Sequence, residues 1–390
     1  MRIAVVAGPD AGHAFPAFAL AERLNAAGFE SIVYTGARWC APALRCGVDV
    51  AELPGLAAVD GDDDADAGAK LSRRAARIAV ALAPQLATAG VDLVISDVIT
   101  VGGAWAAELA GIDWIELSPH PLYRPSRGRP PIGAGLEPGV GVRGRLRDAT
   151  MRAATGRSLR VGERQRSRAR AEIGLTGAAG VPIARFVATL PALEVWRPDW
   201  PSDTHLIGPL LWEPTDATFT RPSAAGPLVL VAPSTAATGT ADLASTALAA
   251  LTETSLGMTV RVVVSALERP DGVAESERVV VGNARQDEIL QDTSLVICGG
   301  GHGMLVKALS AGVPVVTVPG GGDQWELANR VTRQGSGLLV RPPTVESMAL
   351  AARQVLTDPG FAVAARDVSA SASGVVDPVR IVREVMRRRG

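Results

Sequence analysis

Short apolar runs alternate with segments of helical spacing along the chain. In the first half, the runs IAVVA, SIVYTG, VDLVIS and DWIELSP predict strands, since each is mostly apolar and ends at a turn-forming residue. Between them, Ala17, Leu20, Ala21 and Leu24 recur at helical spacing, and GGAWAAELAG forms a second helical segment. Apolar strands separated by helices are typical of a parallel sheet covered on both faces. The first half is therefore predicted to be a doubly wound α/β domain.

A proline-rich stretch interrupts this alternation in the middle of the chain. Six prolines fall from Pro198 to Pro227, among Asp, Ser and Thr residues that break the periodicity. The alternation then restarts: PLVLVAPS, TVRVVVSA, RVVVGN, LVICGG and VPVVTVP predict strands, and ADLASTALAALTE predicts a crossover helix. Two similar doubly wound domains in tandem agree with the length of 390 residues.

Composition narrows the classes of partner and compartment. The formal net charge of -1 provides no field that would attract nucleic acid, so nucleic acid is not expected as a partner. Cys40, Cys46 and Cys298 form neither a disulfide framework nor a CxxC pair, which favours a reducing, cytoplasmic location and argues against zinc. The N-terminus MRIAVVAGPDAGHAF predicts a first strand rather than a signal peptide or a membrane anchor, because its apolar run is too short.

Three glycine-rich turns follow predicted strands. They are GPDAGHAFP with His13, GGGHG with His302, and PGGGDQW. Where such a turn opens a helix, free N–H groups and the positive end of the helix dipole favour an anion such as phosphate. Neither histidine-containing turn is a P-loop, since no Gly-Lys-Ser/Thr follows, and GGGHGM lacks the third glycine of a dinucleotide fingerprint. The turns therefore predict an anion site of another kind, in a cleft at the carboxyl ends of two sheets.

Long segments around these turns resemble GT-B glycosyltransferases of the natural-product type, which use UDP or dTDP sugars on small lipophilic acceptors such as macrolides and aromatic polyketides. The segments are GHAFPAFALAERLNAAGFE, LSPHPLYRPSRGRPPIGAGL, LEVWRPDWP, APST and GGGHGMLVKALSAGVPVVTVPGGGDQWELANRV. The resemblance implies two Rossmann-like domains facing across a cleft. It places an acceptor-binding domain at residues 1–208, a linker at 209–226, a donor-binding domain at 227–371, and a helix at 372–390 that packs back on the first domain.

The resemblance also implies a catalytic pair. His13 stands where the family keeps the base that takes the acceptor proton, and Asp97, after LVIS, stands where the family keeps the carboxylate that orients this base. Inverting transfer needs such a base, and a neutral imidazole suits the task near neutral pH. The alternative is that both side chains only cap helices. Gly12 and His120 are expected on the acceptor side, which loops around residues 53–56 and 120–136 would line with aliphatic side chains.

Donor contacts are implied at further positions. The resemblance assigns the diphosphate to Ser234, Thr235, Gly301, His302, Gly303 and Met304, the transferred sugar to Asp323 and Gln324, and the nucleobase to Asn283, Ala284 and Gln286. No metal and no cofactor is then expected beyond the nucleotide sugar. Asp62 and Asp64 form an Asp-x-Asp pair, but a solvated loop is the favoured interpretation, because no apolar strand leads into them.

Two departures from the family pattern affect the donor site. Gly299 replaces the usual histidine, so His302 either points its ring at the diphosphate or points it to solvent, and the sequence leaves both open. Lys307 replaces a glutamate that binds ribose in many relatives, and an ammonium group cannot accept hydrogen bonds from ribose hydroxyls. This departure weakens the case for a UDP sugar and leaves dTDP sugars at least as plausible.

An arginine-rich segment keeps an alternative function open. Ten arginines fall from Arg143 to Arg170, and a basic helix of this kind could lie on an anionic membrane and serve a lipid-carrier glycosyltransferase. Its thin apolar stripe lacks an aromatic anchor, which favours a solvated face instead. The sequence therefore predicts an inverting, metal-independent glycosyltransferase without stable membrane insertion. A homodimer stays open, and the second alternative is a non-catalytic relative that only binds nucleotide sugars or other ligands.

Overall fold

Two parallel β-sheets organise the chain in a computed structural model that describes residues 1–59, 66–195, 197–235, 239–240, 242–270 and 272–387. The first sheet contains β1 (Arg2–Val6), β2 (Glu30–Thr35), β3 (Val50–Glu52), β4 (Leu93–Asp97), β5 (Trp114–Ser118), β6 (Ala184–Val187) and β7 (Thr204–Leu206). The second contains β8 (Leu228–Ala232), β9 (Arg261–Ser265), β10 (Val279–Gly282), β11 (Thr293–Cys298), β12 (Val315–Thr317) and β13 (Gly337–Leu339). The two doubly wound domains predicted from the sequence are confirmed.

Both sheets have the strand order of a dinucleotide-binding fold. The first runs β3-β2-β1-β4-β5-β6-β7 and the second β10-β9-β8-β11-β12-β13. The order reverses between β1 and β4 in the first sheet and between β8 and β11 in the second, where the chain crosses to the opposite face. Such switch points open a crevice at the carboxyl ends of the strands. Both crevices are therefore available for ligands.

Helices cover both faces of each sheet. In the first half they are α1 (Ala11–Ala26), α2 (Cys40–Arg45), α3 (Ala67–Thr88), α4 (Gly102–Ala110) and α5 (Gly141–Glu172). The second half adds α6 (Leu243–Ala250), α7 (Glu253–Leu256), α8 (Gln286–Leu290), α9 (His302–Ser310), α10 (Gln324–Arg333), α11 (Val345–Thr357), α12 (Pro359–Ala370) and α13 (Pro378–Arg387). Ala17, Leu20, Ala21 and Leu24, which predicted a helix, are fully buried against the first sheet. Burial of each large apolar side chain contributes roughly 1.5 to 3 kcal/mol.

The first helix begins earlier than the sequence pattern suggested. The GPDAGHAFP turn was predicted to precede the helix, but α1 already begins at Ala11 and contains His13 in its first turn. The reason lies in Asp10, whose backbone carbonyl accepts hydrogen bonds from the N–H groups of His13 and Ala14. His13 is therefore fixed by helical backbone rather than held on a loop.

The final helix lies against the first sheet rather than the second. Val379, Ile381 and Val382 of α13 are buried in the same apolar cluster as α1 and β1, and Val376 pairs its N–H with the carbonyl of Leu206 in β7. The domain limits at residues 208 and 227 remain a proposal; they fall between the last strand of the first sheet and the first strand of the second. None of the helices among the described residues is long and apolar enough to cross a membrane.

Candidate active site

The first switch point brings His13 and Asp97 together. Asp97 is the last residue of β4, which pairs with β1, and His13 lies in the helix that follows β1. Beside them, Gly103 lets α4 pack closely on these strands, because a Cβ at that position would lie 2.7 Å from the Cβ of Val6 in β1. His13 Nδ1 and Asp97 Oδ2 are 2.6 Å apart, although 84 residues separate them in the chain. The predicted pair is thus assembled, and its catalytic role remains a proposal.

The Asp97 carboxylate is fully engaged by neutral donors and by the histidine. Its Oδ1 accepts hydrogen bonds from the N–H groups of Ile99 (2.8 Å) and Thr100 (3.0 Å). Burial raises the pKa of Asp97, whereas His13 and these two N–H groups lower it. Their combined effect is the larger, so the pKa of Asp97 lies below its ordinary value. Asp97 is therefore ionised and accepts a hydrogen bond from Nδ1 of His13. The nitrogen left for a proton transfer is Nε2.

The same pair sets the basicity of His13. Burial lowers the pKa of His13, whereas the charge and the hydrogen bond of Asp97 raise it, and the balance lies above the ordinary value of 6.5. The side chain of His13 is 18% exposed, and the residue lines the cleft. An anion fixed behind a partly accessible imidazole is the arrangement of a general base with an orienting carboxylate.

A cavity of about 470 Å³ lies between the two sheets, at both switch points. Except for Asp97, which lies behind His13, every predicted site residue lines it. These residues are Gly12, His13, His120, Ser234, Thr235, Asn283, Ala284, Gln286, Gly301, His302, Gly303, Met304, Asp323 and Gln324. Residues assigned to acceptor, phosphate, sugar and base thus surround one space.

The second switch point presents a helix N-terminus to this cavity. Gly300 has a φ of +77°, which glycine adopts without strain, and Gly301 precedes the first turn of α9. The first turn of α9 contains no acidic residue, so its N–H groups favour an anion. A Cβ at Gly299 would lie 3.1 Å from the Cβ of Ser234, so a histidine there would require Ser234 to move by a few tenths of an ångström.

His302 adopts neither of the two orientations left open by the sequence. Its Nε2 lies 2.9 Å from Oγ1 of Thr189, a residue of the first half of the chain. Burial, together with the nearby His120, Arg330 and His13, lowers the pKa of His302 well below its ordinary value. His302 is therefore neutral and joins the two halves across the cleft. Thr189 was not predicted, because a threonine after a short strand carries no sequence signal.

The two residues assigned to the sugar lie at the start of α10: Asp323 precedes the helix and Gln324 is its first residue. Gln324 is 2% exposed, its Nε2 donates to Ser234 Oγ (3.1 Å) and its Oε1 accepts from the N–H of Gly320 (2.9 Å). Asp323 Oδ2 accepts a hydrogen bond from the hydroxyl of Tyr123 (3.1 Å). Gln324 thus connects Gly320, in the turn before α10 (the sugar turn), to Ser234, which is assigned to the phosphate. Asp323 is left as the acceptor for a ligand.

A buried ion pair lies beside the residues assigned to the nucleobase. Lys307 Nζ donates to Glu213 Oε1 (2.7 Å) and to Gln286 Oε1 (2.9 Å), and both charged side chains are about one tenth exposed. Glu213 belongs to the linker, and its neighbour Trp212 packs on Phe15 and Phe18 of α1. The linker is therefore anchored to both halves. Sequence reasoning missed Glu213, which stands in the proline-rich stretch without any motif.

His120 occupies the acceptor side of the cavity in a fixed orientation. Its Nδ1 lies 2.8 Å from the carbonyl oxygen of Pro121, so Nδ1 carries the proton. Burial lowers the pKa of His120 below its ordinary value, and the nearby positive charge of His13 adds to this effect. The ring stacks on Tyr123 at 4.5 Å and meets the ring of His13 edge-on at 6.1 Å. A neutral His120 therefore stands next to the predicted base.

Helix α10 connects the sugar turn to the loop after β5. Glu326 Oε2 accepts from the N–H of Gly135 (2.8 Å), and Trp325 Nε1 donates to the carbonyl of Ala134 (3.3 Å). Gly135 has a φ of +66°, and a Cβ there would lie 2.5 Å from Trp325 Nε1. The loop predicted to line the acceptor pocket is thus held by the same helix that begins at the sugar turn.

No group of three or more His, Cys, Asp or Glu side chains suited to hold a metal ion occurs within the described ranges. Asp62 and Asp64, for which a solvated loop was favoured, lie outside those ranges. The carboxylates among the residues that line the cavity are those of Asp10, Glu213 and Asp323. Independence from metal remains a proposal.

The chain is similar to known proteins over most of its length. Residues 253–387 match the family described as erythromycin biosynthesis protein CIII-like, C-terminal domain. The chain is 29% identical to 4'-demethylrebeccamycin synthase of Lentzea aerocolonigenes over 314 residues, which cover 75% of this chain and 73% of that protein. Its fold is similar to that of the glycotransferase of kitacinnamycin, with a TM-score of 0.75 and 19% identity over 99% of this chain and 98% of that one. It is also similar to the glycosyltransferase VinC in complex with dTDP (TM-score 0.69, 17% identity, 100% of both chains).

Proposed function

Because the chain is a glycosyltransferase of GT-B fold, similar to those of natural-product biosynthesis, we propose that it inverts the anomeric centre of a nucleoside diphosphate sugar without a metal ion. The acceptor is a hydroxyl of a small lipophilic molecule. One observation carries the proposal: the His13–Asp97 pair faces the N-terminal turn of α9 across one cavity. A base and an anion site would then lie on opposite sides of the anomeric carbon, where one bond forms and the other breaks.

The displacement assigns a role to each side of the cavity. The acceptor oxygen attacks the anomeric carbon while His13 Nε2 takes its proton, and Asp97 stabilises the imidazolium that forms. The bond from the anomeric carbon to the phosphate oxygen breaks, and the electron pair leaves with the diphosphate. The N–H groups at Gly301, His302, Gly303 and Met304 stabilise this charge, with the hydroxyls of Ser234 and Thr235. A single displacement from the opposite face inverts the anomeric centre.

The donor nucleotide is proposed to be a dTDP or UDP sugar. The structural relative VinC was solved with dTDP, and Asn283, Ala284 and Gln286, which we assign to the nucleobase, line the cavity of this chain. Lys307 lacks the acceptor oxygens that ribose hydroxyls need, but the Glu213 carboxylate lies 2.7 Å from its ammonium group and lines the same cavity. We assign the ribose to Glu213, with Lys307 fixing the carboxylate.

The membrane-surface alternative rests on one feature of α5. Val140, Val142 and Leu146 are exposed at its beginning, among Arg143 and Arg145. No aromatic side chain accompanies them in this helix, which is why a small-molecule acceptor is favoured. For location, the described free cysteines suit a reducing, cytoplasmic setting, which we retain as a proposal.

A nucleotide screen tests the proposed donor site. Thermal unfolding is followed with UDP, dTDP, GDP and ADP, each with EDTA and with Mg²⁺. Because a ligand at one hundred times its Kd adds about 2.7 kcal/mol to the free energy of unfolding, dTDP or UDP is expected to raise Tm equally with and without the metal. Thymidine and uridine, which lack the diphosphate, are the matched controls. A folded protein that binds none of the four nucleotides would support the non-catalytic alternative.

A further inference from the structure

Tyr123 reaches from the first half of the chain to the residue assigned to the sugar. Its hydroxyl donates to Asp323 Oδ2 at 3.1 Å, across the cleft and 200 residues away in sequence. Tyr123 follows β5 in the loop predicted to line the acceptor pocket, whereas Asp323 precedes α10. Neither Tyr123 nor Asp323 is among the residues assigned to the phosphate or the nucleobase. The contact therefore concerns the sugar part of the donor.

The phenol is held in place by its neighbours. Its ring stacks on His120, with the ring centroids 4.5 Å apart and the planes 19° from parallel. The hydrogen bond from His120 Nδ1 to the carbonyl of Pro121 fixes the orientation of that imidazole. Burial and the nearby Asp323 carboxylate raise the pKa of Tyr123 well above its ordinary value, so the phenol keeps its proton. Tyr123 is thus a fixed donor, directed at Asp323.

The other polar groups of the sugar turn are already occupied. The amide of Gln324 is bonded to Ser234 and Gly320 at both of its ends. Recognition of sugar hydroxyls in this turn therefore falls to Asp323. A carboxylate offers about four acceptor directions on two oxygens, and the phenol of Tyr123 takes one of those on Oδ2.

We propose that Tyr123 selects the donor sugar by occupying Oδ2 of Asp323, so that the site disfavours a sugar that carries an additional hydroxyl at that position. The proposal rests on the proposed function, since it places the sugar at Asp323. A hydroxyl brought to Oδ2 must either displace the phenol or remain without its acceptor. A sugar with hydrogen in place of that hydroxyl meets no such cost.

The test is Tyr123→Phe, which keeps the ring stacked on His120 and removes only the donor. Affinities are measured by titration calorimetry for nucleoside diphosphate glucose, its 4-deoxy and 6-deoxy analogues, and the nucleoside diphosphate alone. The probes carry thymine or uracil, whichever binds the wild type more tightly. Because a hydrogen bond to a charged group is at stake, the variant is expected to bind glucose at least about tenfold better relative to one deoxy analogue. Its affinity for the sugar-free diphosphate should not change.

Two further variants separate selection from a general effect on the fold. Tyr34→Phe is the matched control, because Tyr34 is the only other tyrosine of the chain and lies in β2, within the apolar cluster of the first sheet. It should leave the ratio of sugar affinities unchanged. In an Asp323→Ala background, Tyr123→Phe should no longer alter that ratio, because the oxygen that it frees is gone.

The outcomes distinguish this inference from the proposed function. Equal changes for all probes in Tyr123→Phe, or a selective loss for glucose, would overturn the selection by Tyr123 while the donor site stands. Failure of the wild type to bind either nucleoside diphosphate would overturn the proposed function itself, and the assignment of Tyr123 with it.

Discussion

Replacing His13 with alanine is expected to lower kcat by about 10² to 10⁴, because the acceptor hydroxyl loses the base that takes its proton. The affinity for the nucleoside diphosphate should stay within about twofold of wild type, since the phosphate turn at α9 lies on the other side of the cavity. Steady-state turnover of a nucleotide sugar and calorimetric titration of the nucleotide measure the two quantities separately.

The matched control for His13 is His205→Ala. His205 lies in β7 at the edge of the first sheet and does not line the cavity, so its loss should leave kcat near the wild-type value. Wild-type turnover in His13→Ala would exclude the proposed base. An equal loss of turnover in both variants would instead indicate that histidine replacement damages the first domain in general.

Replacing Asp97 with asparagine is expected to cost about 10² to 10⁴ in kcat/KM, because asparagine removes the negative charge that stabilises the imidazolium and no longer dictates which nitrogen carries the proton. Three hydrogen bonds, from His13, Ile99 and Thr100, hold the carboxylate of Asp97 in place. Steady-state kinetics at several pH values measures both the size of the loss and its pH dependence.

The pH dependence has a definite sign. In the wild type the pKa of His13 is raised above 6.5, and the base must be neutral, so kcat/KM should fall as the pH drops through that raised value. In Asp97→Asn the main raising charge is gone, so burial lowers the pKa of His13 against only the weaker effects of Asp10 and Asp323. The acidic limb should therefore move to lower pH, on a much lower plateau. Asp49→Asn, an exposed aspartate next to β3, should show the wild-type profile. If the acidic limb does not move in Asp97→Asn, Asp97 does not set the pKa of the catalytic base.

Local sequence patterns predicted the long apolar strands and the short apolar β12, but missed several other short strands. Strands such as β4 and β11 are continuous apolar runs, whereas β3, β7 and β13 contain three residues each. Three residues are too few to show periodicity. The proline-rich stretch was assigned to a boundary, but β7 lies inside it and pairs with β6. Neighbouring strands, rather than local preference, determine such segments.

The candidate site divides in the same way. Residues within glycine-rich turns, such as His13 and His302, could be found because their motifs are local. Tyr123, Thr189 and Glu213 could not, because each acquires its contact from the opposite half of the chain. The ring of His302 was expected to face phosphate or solvent, but it bonds to Thr189, because the two halves of the chain meet there and bring that hydroxyl to 2.9 Å.

The most direct measurement of the central claim is the anomeric configuration of the first product. A dTDP or UDP sugar with an α-linked phosphate is incubated with the full chain and EDTA, with water as the surrogate acceptor, and the anomeric proton is followed by NMR before the released sugar equilibrates. A single displacement assisted by His13 predicts the β anomer as the first product, at a rate that EDTA does not change. The α anomer as the first product, or a reaction that stops when the metal is removed, would contradict the account.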